Sequence, residues 1–136
     1  MKKNIKLIDW MICDDIRQEV SGKRIFIGVY DENIIVPVIP ITIPQLTFYS
    51  KWDITETPIK KFEFKIVQPN GKEIGPIISE LSPSPPESKG RKAQIQLGVY
   101  PFNIEVAGEY KIEAKVNDID YDTIASFKVL LSPPRF

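Results

Sequence analysis

Apolar and polar residues alternate with a period of two through most of this chain. Between Gln45 and Trp52, Leu46, Phe48, Ser50 and Trp52 fall on one side, and Thr47, Tyr49 and Lys51 on the other. Phe62, Phe64 and Ile66 alternate with Glu63 and Lys65, and Ile95, Leu97 and Val99 repeat the pattern further on. Tyr110, Ile112, Ala114 and Val116 oppose Glu109, Lys111, Glu113 and Lys115, and Ala125, Phe127, Val129 and Leu131 alternate again. Successive strand side chains point to opposite faces, so each run predicts a strand with one buried face. No window sustains apolar residues at i, i+3, i+4 and i+7, the spacing that a helix needs.

The first run, Ile5 to Cys13, is denser. Ile8, Trp10 and Ile12 make one face fully apolar, and Leu7, Met11 and Cys13 leave only Asp9 polar on the other. A strand of this kind is packed on both faces or lies near an interface. Asp14 and Asp15 are expected to end it, and Ser21-Gly22 to turn the chain into a second strand, Lys23 to Tyr30. The two form a hairpin with a polar connection from Asp14 to Gly22. Gly28 marks a bulge or a point of close packing in the second strand.

Punctuation supports the same reading. Pro37, Pro40 and Pro44 interrupt an apolar stretch, which is expected as an edge strand or an extended crossover, because proline cannot donate to a ladder. Asn70-Gly71 predicts a tight hairpin turn. Asn117-Asp118 turns the chain between the last two strands, and the Ser- and Pro-rich segment from Leu81 to Gly90 predicts a long loop. Short strands at this spacing, joined by turns and one or two crossovers, predict an all-β fold: an antiparallel β-sandwich, immunoglobulin-like, with about seven to eight strands. Gly108-Glu109-Tyr110 resembles the tyrosine position of that fold.

Length and charge narrow the function classes. A chain of 136 residues fits a single domain, 1–136, and can bury a core without disulfides or metal. Lys plus Arg and Asp plus Glu are each 18, so no basic excess is available for phosphate contacts, and no nucleic-acid partner is expected. Lys2, Lys3 and Lys6, and Lys89, Arg91 and Lys92, read as solvated strand and loop ends. No run approaches the ~20 apolar residues of a membrane helix. The Met-Lys-Lys opening lacks a continuous apolar region and a small-residue cleavage site. The expectation is a cytoplasmic protein with no membrane partner.

Three motifs together resemble a family of uncharacterised bacterial proteins, a domain of unknown function. They are Met11-Ile12-Cys13-Asp14-Asp15-Ile16-Arg17, then Gly22-Lys23-Arg24-Ile25-Phe26-Ile27-Gly28-Val29-Tyr30, and the closing hairpin entered at Gly108-Glu109-Tyr110. They match a C-D-D-[VI]-R segment, a G-K-x-x-x-x-G-[VI]-Y strand and an immunoglobulin-like sandwich. The resemblance covers the first and last thirty residues and implies the fold. It carries no activity across.

Chemistry-bearing residues are few. Histidine is absent, which removes the side chain best suited to proton transfer near neutral pH. The one cysteine, Cys13, has no histidine to activate it and reads as a small buried apolar group. Asp14, Asp15, Arg17 and Glu19 form a possible interaction loop. Its carboxylates suit a cation or an arginine-bearing partner, and Arg17 suits an anion, while a local Asp–Arg pair at a turn needs neither. Asp118, Asp120 and Asp122 invite a calcium reading but lack the glycine and the downstream glutamate of an EF-hand loop, so a wet hairpin face serves as well. Tyr30, Phe48, Tyr49, Trp10 and Trp52 form either a stacking platform or core.

Neither a catalytic residue nor a cofactor emerges from this inventory. The expected function is that of a non-enzymatic protein-interaction or structural domain, whose partner is another protein or a second copy of the chain. A carbohydrate-type ligand-binding module and a carboxylate-dependent hydrolase are the alternatives.

Overall fold

In the computed structural model the chain is described at residues 6–31, 33–53, 60–80, 92–117 and 120–133. Eleven strands lie within these: β1 (Lys6–Gln18), β2 (Arg24–Tyr30), β3 (Asn33–Val36), β4 (Ile41–Ile43), β5 (Leu46–Asp53), β6 (Lys61–Val67), β7 (Glu73–Glu80), β8 (Lys92–Val99), β9 (Phe102–Ile104), β10 (Gly108–Val116) and β11 (Asp122–Leu131). One sheet has the order β2-β1-β5-β8 and the other β3-β11-β10-β6-β7, while β4 and β9 pair by themselves. The all-β sandwich expected from the alternation is the fold. Two of the strands beyond the seven to eight expected, β4 and β9, are three residues each and too short to carry a period of two.

The two sheets meet through aromatic side chains. Phe48 of β5 lies 5.5 Å from Phe64 of β6, ring centre to ring centre, and Trp52 lies 5.5 Å from Phe62. Phe102 reaches Tyr110 at 6.0 Å and Phe127 at 6.3 Å, which brings the short β4–β9 pair against the same core. All of these rings are buried. Each fully buried side chain of this size is worth about 1.5–3 kcal/mol relative to exposure, so the core is the main source of stability. Trp52 Nε1 donates to Ser50 Oγ at 2.8 Å, and Ser50 Oγ donates to the Ile95 carbonyl at 3.3 Å. The polar atoms of this buried pair are therefore satisfied.

Ladder partners match the expected hairpins. Asn70-Gly71 joins β6 to β7, with Gly71 at φ +86° and the Lys72 amide donating to Asn70 Oδ1 at 3.0 Å. β10 and β11 pair antiparallel. Tyr110 Oη donates to the Val106 carbonyl, four residues upstream, at 2.7 Å. The proline-punctuated stretch fills both expected roles, because β3 is an edge strand and β4 belongs to the crossover. β3 runs parallel to β11, the one exception to antiparallel pairing among the described ladders. The predicted loop from Leu81 to Gly90 lies outside the described residues, as does Asp118.

One boundary is corrected. Asp14 and Asp15 do not end the first strand, and the segment from Asp14 to Gly22 is not a loop, since β1 continues to Gln18 and pairs with β2 as far as Arg24. The turn is confined to the residues around Glu19, whose amide donates to the Lys23 carbonyl at 2.7 Å. Asp14, Asp15 and Arg17 are thus strand residues and only Glu19 sits in the turn. Aspartate is disfavoured in strands because its side chain competes for backbone partners. Here each carboxylate has a side-chain partner from a neighbouring segment.

Candidate functional site

The site begins with a break in alternation. Cys13 and Ile16 are three residues apart yet pack in one small cluster with Met11, Phe26 and Tyr49. Ile12 and Tyr30, which pair across the ladder, pack instead against the main core. The period of two therefore slips in both strands, at Asp14 in β1 and at Gly28 in β2. Gly28 has φ +66°, a left-handed conformation that glycine adopts without cost. A Cβ on Gly28 would overlap Asp14 Oδ2 and come within 2.8 Å of its Cγ. The missing side chain makes room for Asp14, whose Oδ1 accepts the Tyr30 hydroxyl at 2.8 Å.

Beyond this hinge the hairpin curls over the outer face of its own sheet. Gln96 of β8 pairs with Tyr49, Tyr49 with Met11 of β1, and Arg24 with Gln18, seven residues further along β1. In a flat sheet Arg24 and Gln96 would be separated by about 24 Å along the strands and about 14 Å across them. Instead Arg24 Nε donates to Gln96 Oε1 at 3.3 Å, and the Phe26 and Tyr49 rings meet edge to face at 5.1 Å. Only a folded-back hairpin brings these atoms together.

Between the curled hairpin and the sheet lies a groove of about 250 Å³. Asp15 and Ile16 line it from the hairpin, Gln45 and Thr47 from the start of β5, and Gln96 and Tyr100 from β8 and the residues after it. Gln45 Nε2 donates both to Asp15 Oδ1 and to Thr47 Oγ1, each at 3.1 Å. Thr47 Oγ1 in turn donates to the Asp14 carbonyl at 3.4 Å, and Arg17 Nε donates to Asp15 Oδ2 at 3.1 Å. The Arg17 guanidinium, together with the donors Ile16 N–H and Gln45, holds the Asp15 carboxyl below its usual range. Asp15 is consequently a carboxylate at neutral pH and an acceptor only.

The predicted residues therefore divide. The structure brings Asp15 and Arg17 together as a local pair, gives Asp14 to the hinge, and leaves Glu19 in the turn, where its carboxylate accepts the Ser21 hydroxyl at 3.3 Å. Cys13 is fully buried, and burial first, then the neighbouring Asp14 charge, push its thiol up to about 11. At neutral pH it is a thiol, not a nucleophile. Asp120 is exposed, and among the described residues no group of three or more acidic or cysteine side chains is placed to hold a metal ion. Of the proposed aromatic platform, Phe48 and Trp52 are core, Tyr49 is buried in the small cluster, and Trp10 and Tyr30 pack against the core.

Sequence reasoning missed Tyr100, whose side chain is 69% exposed at the groove. Its ring lies against Gly98, where a Cβ would come within 2.9 Å of Cε1. A glycine two residues before an aromatic, Gly98 and Tyr100, was the available signal. Gln45 and Gln96 gave none, because they meet only through the register of the sheet.

A model for a family of unknown function (DUF6941) matches residues 8–129. The chain belongs to this family. Comparison with curated proteins yields no match. The matched span of this DUF6941 chain takes in the hinge, the groove and both sheets. No helix among its described residues is long and apolar enough to cross a membrane.

The opposite sheet offers a contrasting surface. On its outer face Lys65 pairs with Glu73 and lies 3.9 Å from Glu113, and its ammonium sits 4.3 Å from the centre of the Tyr121 ring. Tyr121 Oη donates to Glu63 Oε2 at 2.9 Å. Burial and that carboxylate push the Tyr121 hydroxyl up to about 12, and the bond from Tyr121 helps hold Glu63 low. The partners answer one another, as on a solvated charged face.

Proposed function

We propose that this DUF6941 domain works by binding, not by catalysis, and that it pairs through the free edge of β2 with the same strand of a second copy. One observation carries the reading. β2 is the outermost strand of its sheet, and Ile25, Ile27 and Val29 along it remain 44, 41 and 49% exposed. An open edge that presents apolar side chains is a template for another strand. The strand is entered through Lys23 and Arg24 and left through Asp31, so an antiparallel copy sets opposite charges facing each other. A two-fold arrangement of this kind is self-complementary.

The state of the described carboxylates favours binding. Among the described residues, the two carboxylates whose pKa values are displaced, Asp15 and Glu63, both move down, whereas a general acid at neutral pH needs a raised one. We take the segment Cys13 to Arg17 as the family's shared mark, because the hinge is built from it, and read the family as bacterial and cytoplasmic. The bond from Tyr110 to the Val106 carbonyl supports an immunoglobulin-like sandwich.

Light scattering coupled to size exclusion, across a wide concentration range, tests the pairing. A dimer is expected for the natural sequence and a monomer for Ile27→Lys with an unchanged melting temperature. A natural chain that stays monomeric at the highest concentration overturns the reading.

A further inference from the structure

We infer that the groove beneath the curled hairpin is a binding site for a neutral sugar ring. This goes beyond strand pairing and stands on different residues. The groove, at about 250 Å³, falls just under the usual range for drug-sized ligands and suits a single ring. Its lining is predominantly polar, with hydrogen-bonding groups already held in place and the exposed Tyr100 side chain at its border, and it suits a small ligand with a rim of hydroxyls.

Tyr100 supplies the aromatic group. Its ring occupies the space that a side chain on Gly98 would need, and the residue is 69% exposed. The rim is oriented by bonds within the protein. Gln45 spends both amide hydrogens on Asp15 and Thr47, which turns its Oε1 into the acceptor left for a ligand. Gln96 spends its Oε1 on Arg24, which leaves its amide hydrogens as donors. A hydroxyl both donates and accepts, and a fixed acceptor beside a fixed donor matches it. Side chains already bonded on one side lose little freedom on binding.

The one charge of the lining is already paired. Asp15 is the single charged residue of the lining, and Arg17 pairs with it from outside the groove.

Nuclear magnetic resonance titration with glucose, galactose, mannose and N-acetylglucosamine tests the assignment, using the backbone amides and the side-chain amides of Gln45 and Gln96. At least one sugar is expected to give saturable shifts centred on Gln45, Gln96 and Tyr100. Tyr100→Ala is expected to weaken binding about tenfold, the size of one aromatic stacking contact. Val29→Lys, on β2 but opposite Cys13 and not Asp15, leaves the titration unchanged, which separates this site from the β2 edge. The assignment is overturned by any of three outcomes: no saturable shift with all four sugars, shifts that centre elsewhere, or a Tyr100→Ala chain, folded by its amide spectrum, that binds as well as the natural one.

Discussion

Replacing Gly28 with alanine probes the hinge directly. Two costs are added by one methyl group. The first is conformational: φ at +66° costs a residue with a Cβ about 1–2 kcal/mol. The second is steric. The new carbon overlaps Asp14 Oδ2, lies 2.8 Å from Cγ and 3.2 Å from Cβ, and so displaces the carboxylate from the Tyr30 hydroxyl it now accepts at 2.8 Å. A hydrogen bond to a charged group is worth about 1.5–3 kcal/mol when buried, and the solvent exposure of this one brings it nearer 1. The sum is about 2–3 kcal/mol. At about 2.1 cal/mol/K per residue the unfolding entropy of this chain is roughly 0.3 kcal/mol/K, so Gly28→Ala is expected to lower Tm by about 7–10 °C. Differential scanning calorimetry reads that shift. The two costs separate in an Asp14→Ala background, where the carboxylate is gone and only the conformational part, about 3–7 °C, remains. An unchanged Tm for Gly28→Ala refutes the account of the hinge. An equal loss in both backgrounds refutes the role given to Asp14.

Two further outcomes follow from side chains already described. Tyr110→Phe removes the hydroxyl that donates to the Val106 carbonyl at 2.7 Å, and calorimetry should record a loss of about 1 kcal/mol, or about 3–4 °C, while an unchanged Tm would leave that bond without a stabilising role. Cys13 has a folded pKa raised from 9.0 to about 11, so the unfolded thiol ionises first. Its contribution is present in full below pH 9 and disappears as pH rises through 11. Urea unfolding between pH 8 and 11 is therefore expected to fall less steeply for Cys13→Ala than for the natural chain, and identical slopes would count against the burial argument.

The parts of this fold legible in the sequence are those whose partners lie on the facing sheet. Phe62, Phe64 and Ile66 are all buried while Glu63 and Lys65 are not, because one face of β6 meets the core and the other meets water. The same holds along β10 and β11. The end of β1 was misread because local preference points the wrong way there. Two adjacent aspartates look like a turn until Tyr30, Gln45 and Gly28 are seen beside them, and those neighbours come from other strands. The groove was illegible for a related reason. Gln45, Gln96 and Tyr100 become neighbours of Asp15 only after a hairpin has bent back over its sheet, and no period along the chain records a bend. The aromatic residues read equally as platform or core in the sequence, and the structure buries Phe48 and Trp52 and packs the half-buried Trp10 against them.

The parallel pair at the edge of the second sheet sets a timetable for making the protein. Asn33 and Ile34 meet Lys128 and Val129, so β3 has no lateral partner until β11 has been synthesised. At about 5–20 residues per second the ribosome takes on the order of 5–20 s to cover that interval. Throughout it the apolar side chains of Ile34 and Val36, buried in the finished molecule, are without their neighbours. A nascent chain in this condition is a natural client for holding chaperones, and slow codons placed before β11 would lengthen its exposure. The late arrival of one strand thus makes the yield of this sandwich sensitive to the pace of translation, with no change to the stability of the product.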